Sequence, residues 1–185
     1  MQDDAWQTFS ERLSCNGSWH ADSEPLAWPV SAALAQRLAE RNTATLATIA
    51  ALEERRAENT DDDSPVMQEL LRLDAKLTAL VDIVNRMVLP ADQLPARQPL
   101  RFNAIGAALP DALVPQGSAA LLLRLRFDAC RSLPLELPSR VVRRLDDGQV
   151  FVTFEALGEG VAASLERLVF RHHRRKVAGA RLASP

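Results

Sequence analysis

Cysteine is nearly absent from these 185 residues: only Cys15 and Cys130 occur, far apart in the chain and without ligand-like neighbours. Free thiols in a reducing compartment are expected, rather than a disulfide or a metal site. Long apolar runs are also missing. The longest, Ala119 to Leu123, falls far short of the roughly 20 residues a membrane-spanning helix needs. The opening Met1-Gln2-Asp3-Asp4 is acidic where a secretory leader would be basic. No membrane insertion is expected, and the cytoplasm is the expected compartment.

The motifs that carry common enzyme chemistry are lacking as well: there is no Gly-rich phosphate loop, paired-cysteine motif, HExxH or GxSxG. No catalytic residue is nominated. His172 and His173 are adjacent and therefore diverge on a helix, which is poor metal geometry. Asp61-Asp62-Asp63 lacks the interleaved spacing of a calcium loop and suits a helix start instead. No metal ligand set is predicted, and no cofactor follows from these patterns.

A net charge of −2, with 47% hydrophobic and 25% charged residues, describes an ordinary globular chain. The charge is unevenly distributed. Residues 1–96 hold 8 Lys and Arg against 16 Asp and Glu, and residues 97–185 hold 14 against 8, so the two parts differ in character. The spacing predicts helices over Val30–Asn59 and Pro65–Leu89, separated by polar turn formers and a Ser64 cap before Pro65. So short a link predicts an antiparallel hairpin. Pro90, Pro95 and Pro99 then read as an extended linker.

From Leu100 onward the period becomes 2. Leu121, Leu123, Leu125 and Phe127 alternate with Leu122, Arg124 and Arg126 as in a half-buried strand. Leu137–Leu145 and Gln149–Phe154 follow as strands joined at Asp146-Asp147-Gly148, and a helix from about Glu159 carries Val161, Leu165, Leu168, Val169 and His172 on one face. The organisation is thus residues 1–29 as an N-terminal segment contributing a first strand, 30–89 as a helical insertion, and 90–185 as a small barrel with a C-terminal helix. The class is α+β.

The second helix carries the strongest pattern. Val66, Leu70, Leu73, Leu77, Leu80, Val84 and Met87 recur with alternating steps of four and three, the 3.5-residue repeat of a supercoil. Val81, Ile83 and Val88 fall at flanking positions that are charged in two-stranded coils, so a bundle of more than two helices is expected, with three or four strands both compatible with the pattern. An apolar stripe of this kind can also serve merely to cover a domain core.

Phe102-Asn103-Ala104-Ile105-Gly106-Ala107-Ala108-Leu109, Pro115-Gln116-Gly117-Ser118 and Leu121-Leu122-Leu123-Arg124-Leu125 together resemble the PilZ domain. Leu135–Arg143, Val150–Phe154 and the helix through Leu165–Phe170 continue the resemblance across roughly residues 97–176. It implies a six-stranded barrel with a C-terminal helix. It also implies a role in cyclic di-GMP signalling, with RxxxR and (D/N)xSxxG as the ligand motifs. Here Asn103 keeps the second motif's first position, but Ile105 replaces its Ser and Ala108 its Gly. Arg97 and Arg101 have the RxxxR spacing, displaced to just before Asn103, and Arg12 is followed four residues later by Asn16. Arg97, Arg101 and Asn103 are therefore the candidate nucleotide residues of a degenerate site. With Glu11–Trp19 as the first strand, the helices would interrupt the barrel, which resembles a divergent PilZ type of plant-pathogenic xanthomonads in which inserted heptad helices build a tetramer.

The resemblance implies a tetrameric, degenerate PilZ adaptor that binds cyclic di-GMP weakly or not at all and acts on an unidentified signalling protein in motility or virulence. A direct receptor using Arg97, Arg101 and Asn103 is the second expectation. A third is nucleic-acid binding through Arg171, Arg174, Arg175 and Lys176, disfavoured because that tail has no aromatic residue for stacking.

Overall fold

The computed structural model describes residues 2–54 and 64–182. Six antiparallel strands close into a barrel in the order β1-β2-β3-β6-β5-β4. They are β1 (Cys15–Pro25), β2 (Arg97–Phe102), β3 (Gly106–Pro110), β4 (Ala120–Phe127), β5 (Cys130–Arg144) and β6 (Gln149–Phe154). The expected fold class is the observed one. β1 serves two neighbours in turn: its first half pairs with β2, from Cys15 opposite Phe102 to His20 opposite Arg97. Its second half pairs with β4, ending with Pro25 opposite Leu121.

Alternation fills the barrel. Leu121, Leu123, Leu125 and Phe127 of β4 point inward and are buried, while Arg124 and Arg126 stay partly accessible. Inside, Trp19 meets Phe102 edge-on at 5.0 Å. The β5–β6 hairpin turns at Gly148, whose φ of +77° is the left-handed conformation that glycine adopts without strain. Gly158, with φ of +72°, turns the chain into α4 (Glu159–Leu182). Val161, Leu165, Leu168 and Val169 of α4 are buried in the same core as the barrel leucines, so this helix closes the barrel's interior.

Two helices lie between β1 and β2: α2 (Ala32–Glu54) and α3 (Pro65–Val88). α2 packs on β5 and α4, burying Leu38, Leu46 and Ile49. Its stripe weakens at Asn42 for a reason the periodicity does not show. Asn42 is 1% exposed; its Nδ2 donates to Glu136 O at 2.7 Å, and its Oδ1 accepts from Glu136 N at 2.8 Å. One amide thus satisfies both backbone groups of a strand residue.

Several boundaries differ from the sequence reading. Gln2–Glu11 forms a helix, α1, and the first strand starts at Cys15 rather than Glu11. Phe9 of α1 is fully buried against Phe151, with ring centroids 4.9 Å apart. The proline-punctuated linker contains β2. Pro99 is tolerated there because it lies opposite Ser18 of β1, while the pairing of β2 with β3 involves only Arg101 and Phe102. β5 begins at Cys130 rather than near Leu137. The expected helical span beyond Glu54 and the Asp61–Asp63 helix start lie outside the described residues.

Candidate functional site

Two regions correspond to the sequence candidates. The first is α3, which starts where expected: Ser64 Oγ accepts from Met67 N at 3.2 Å, with Pro65 in the first turn. Near its other end Asn85 is buried and ties the helix to β5, its Oδ1 accepting from Ser132 Oγ at 2.6 Å and Ser132 N at 3.2 Å. Met67, Asp74, Thr78 and Val81 are half-buried. The flanking face of the helix is apolar and open. Val66, Leu70, Leu73, Leu77, Leu80, Val84 and Met87 are 39–77% exposed, and Ile83 and Val88 widen the strip. At 1.5 Å per residue it runs for about 30 Å, a patch of a size that marks interaction surfaces.

The second region surrounds the displaced arginine pair. Arg97 and Arg101, four residues apart on β2, both lie on its outer face, between the inward Leu100 and Phe102. Arg97 donates to Ser18 O at 2.8 Å and to Asp128. That hydrogen bond, ahead of the opposing effect of burial, holds the Asp128 carboxyl below its ordinary range. Arg101 donates to Ser10 O at 3.2 Å and lies over the Phe9 ring at 4.9 Å. Asn103 is 2% exposed. Its Nδ2 donates to Phe9 O at 3.0 Å and its Oδ1 accepts from Ile105 N at 2.8 Å.

Arg101 and Asn103 therefore come together beneath the last turn of α1, whose carbonyls take their hydrogen bonds, while Arg97 is anchored to Asp128. Beside them a cleft of about 700 Å3 lies between the α1–β1 link and α4, with Arg12, Arg101, His172 and Lys176 in its walls.

Cys15, also in that cleft, is a buried free thiol, as is Cys130. Burial first, and then the charge of Glu53, push the Cys15 thiol up to about 12, so it is a poor nucleophile. Glu53, unremarked in the sequence, ties α2 to α4. It meets His172 Nε2 at 3.0 Å and Arg175 at 3.1 Å, and its backbone carbonyl accepts from Arg175 at 2.7 Å. Burial alone would raise its pKa. The hydrogen bond and charge of His172, followed by Arg175 and Arg171, outweigh burial and hold the carboxyl below 4.5.

A lowered folded-state pKa stabilises the fold above the unfolded value and ceases to do so as the pH falls through the folded one. The melting temperature should therefore drop on acidification below pH 4.5, and Glu53→Gln should flatten that dependence. Thermal denaturation of both proteins across the acid range checks this. Among the described residues no group of three or more His, Cys, Asp and Glu could hold a metal ion. None of the described helices is long and apolar enough to cross a membrane.

A closed six-stranded antiparallel barrel with a C-terminal helix packed into its core is the architecture of a PilZ domain. The chain belongs to the atypical PilZ domain family, described as a cyclic di-GMP receptor, whose model matches residues 46–182. Among solved structures it is similar to a pathogenic protein from Xanthomonas campestris, a new tetrameric PilZ domain self-assembled via an unusual helical bundle. The two are 26% identical with a TM-score of 0.69, over 95% of this chain and 97% of that one. No curated protein matches.

Proposed function

We propose that the protein is an oligomeric PilZ adaptor in cytoplasmic cyclic di-GMP signalling, assembled through α3, non-catalytic, and acting on motility or virulence functions through protein contacts. The apolar seam of α3, 39–77% exposed from Val66 to Met87, carries this reading. A soluble chain gains by covering such a strip, and a second, third and fourth copy of the same strip is the simplest cover. The tetrameric, helical-bundle assembly of the Xanthomonas campestris protein supports four. Light scattering on the intact protein and on Leu73→Asp with Leu80→Asp tests the assembly.

Direct dinucleotide binding is weak or nil in this reading, because Asn103 and Arg101 are engaged by α1 and Ile105 and Ala108 offer neither hydroxyl nor glycine. Titration calorimetry with cyclic di-GMP should give no saturable heat at protein concentrations of about 50 μM, well above a micromolar Kd. Micromolar or tighter affinity would overturn the weak-binding part.

A second reading, direct reception, is supported by the family's description and by the cleft beside Arg101. Replacing Arg97 and Arg101 by alanine should then abolish binding.

A further inference from the structure

α4 has two opposed faces. One closes the barrel core through Leu165, Leu168 and Val169; the other exposes Phe170, 54% accessible. Leu13, 41% accessible, lines the same groove of about 680 Å3, which runs between the α1–β1 link, the β2–β3 turn at Asn103 and Ala104, and the Ala163–Arg171 stretch of α4. Single exposed apolar side chains are ordinary on protein surfaces. Two large ones sharing a groove make a contiguous apolar patch.

The charge around the groove has one sign in excess. Arg12, Arg167 and Arg171 line it against the single carboxylate of Glu166. Arg12 reaches Glu166 at 3.3 Å, but both side chains are more than half exposed, so this pair is screened and readily exchanged for another carboxylate. Arg167 donates to Ser164 Oγ at 2.9 Å, and Arg171 stands 3.8 Å from Glu53.

We propose that this groove docks an acidic segment of a partner protein, seating apolar side chains between Leu13 and Phe170 and placing carboxylates on Arg12 and Arg167. The inference rests on the adaptor reading and supplies the surface that reading requires. An apolar floor with guanidinium groups at its rim matches an amphipathic segment with acidic flanks. A lipid surface also offers anionic groups, but a plane does not enter a groove.

Phage-displayed random peptides of about 16 residues, long enough for four helical turns, are selected on the full-length protein. Enrichment of sequences rich in Asp and Glu, with apolar residues three or four apart, is expected. Phe170→Ala and Arg167→Glu should each weaken the consensus peptide about tenfold, as removal of a binding hot spot does. Leu73→Asp with Leu80→Asp should leave it bound. No enrichment, a basic consensus, or a consensus indifferent to both groove variants overturns the proposal. So does co-sedimentation with phosphatidylglycerol vesicles that Phe170→Ala abolishes while no peptide is enriched. Light scattering on the same samples separates the two claims. A peptide-binding monomer sinks the assembly and keeps the groove, and an oligomer that enriches no peptide sinks the groove alone.

Discussion

Leu73→Asp with Leu80→Asp converts the protein to a single-chain species in light scattering while its far-UV circular dichroism stays essentially that of the parent. The two leucines are 53% and 55% exposed in one chain, so covering them contributes about 1 kcal/mol each, roughly half the value of full burial. An aspartate sealed into the same place loses that contribution and also pays for an unpaired, desolvated carboxylate. A combined loss of about 4 kcal/mol per chain shifts the dissociation constant about a thousandfold. The fold survives because neither leucine belongs to the buried core, and the lower helix propensity of Asp costs only about 0.5 kcal/mol per site. A variant with the parent's mass, or a parent that is itself monomeric, would sink the assembly.

In that single-chain background, Asn42→Ala should be the most damaging truncation of a polar side chain in α2. It removes both hydrogen bonds that Asn42 makes to Glu136, at 2.7 and 2.8 Å, and leaves a buried N–H and a buried C=O unsatisfied. At about 1–3 kcal/mol for each orphaned group, a loss of about 3 kcal/mol is expected. For a chain of this length that lowers the melting temperature by about 10 °C. Thr43→Ala, one residue away on the exposed side of the helix, should change it by under about 2 °C. Equal shifts for the two variants would show that Asn42 does not pin the helix.

What the sequence disclosed follows from how local each signal is. β4 was readable because Leu121, Leu123, Leu125 and Phe127 recur at every second position with Arg124 and Arg126 between the later ones, and the start of α3 because Ser64 and Pro65 form a self-contained signal. The seam was readable because its seven members need only their own helix to reveal them. α1 escaped because its order depends on Phe151, whose ring lies outside the barrel and packs on Trp6 and Phe9. The clue was Val150-Phe151-Val152, an unbroken apolar run that means burial on both faces of a strand.

Asn42 looked like a defect in a stripe because its partners are backbone atoms of a distant strand. The arginine spacing of Arg97 and Arg101 was legible, but their engagement by Asp128, Ser10 and Phe9 was not, since contacts across such sequence separations leave no periodic trace. The same holds for Glu53, one of two adjacent glutamates at the end of α2, which nothing distinguishes until α4 folds over it. His172, which spacing puts on the apolar face of α4, is half-buried and bonded to that carboxylate.

The closed barrel restricts how this protein can meet others. Among the described residues each strand has two strand neighbours in the circuit from β1 through β4, and where β5 runs on beyond β6 the backbone of Glu136 is taken up by Asn42 of α2, which leaves little sheet edge for a foreign strand. Recruitment by β-augmentation is thereby restricted, and so is runaway edge-to-edge stacking of copies. Recognition is left to side chains, which is where a chain can change partners by point substitution without touching its fold.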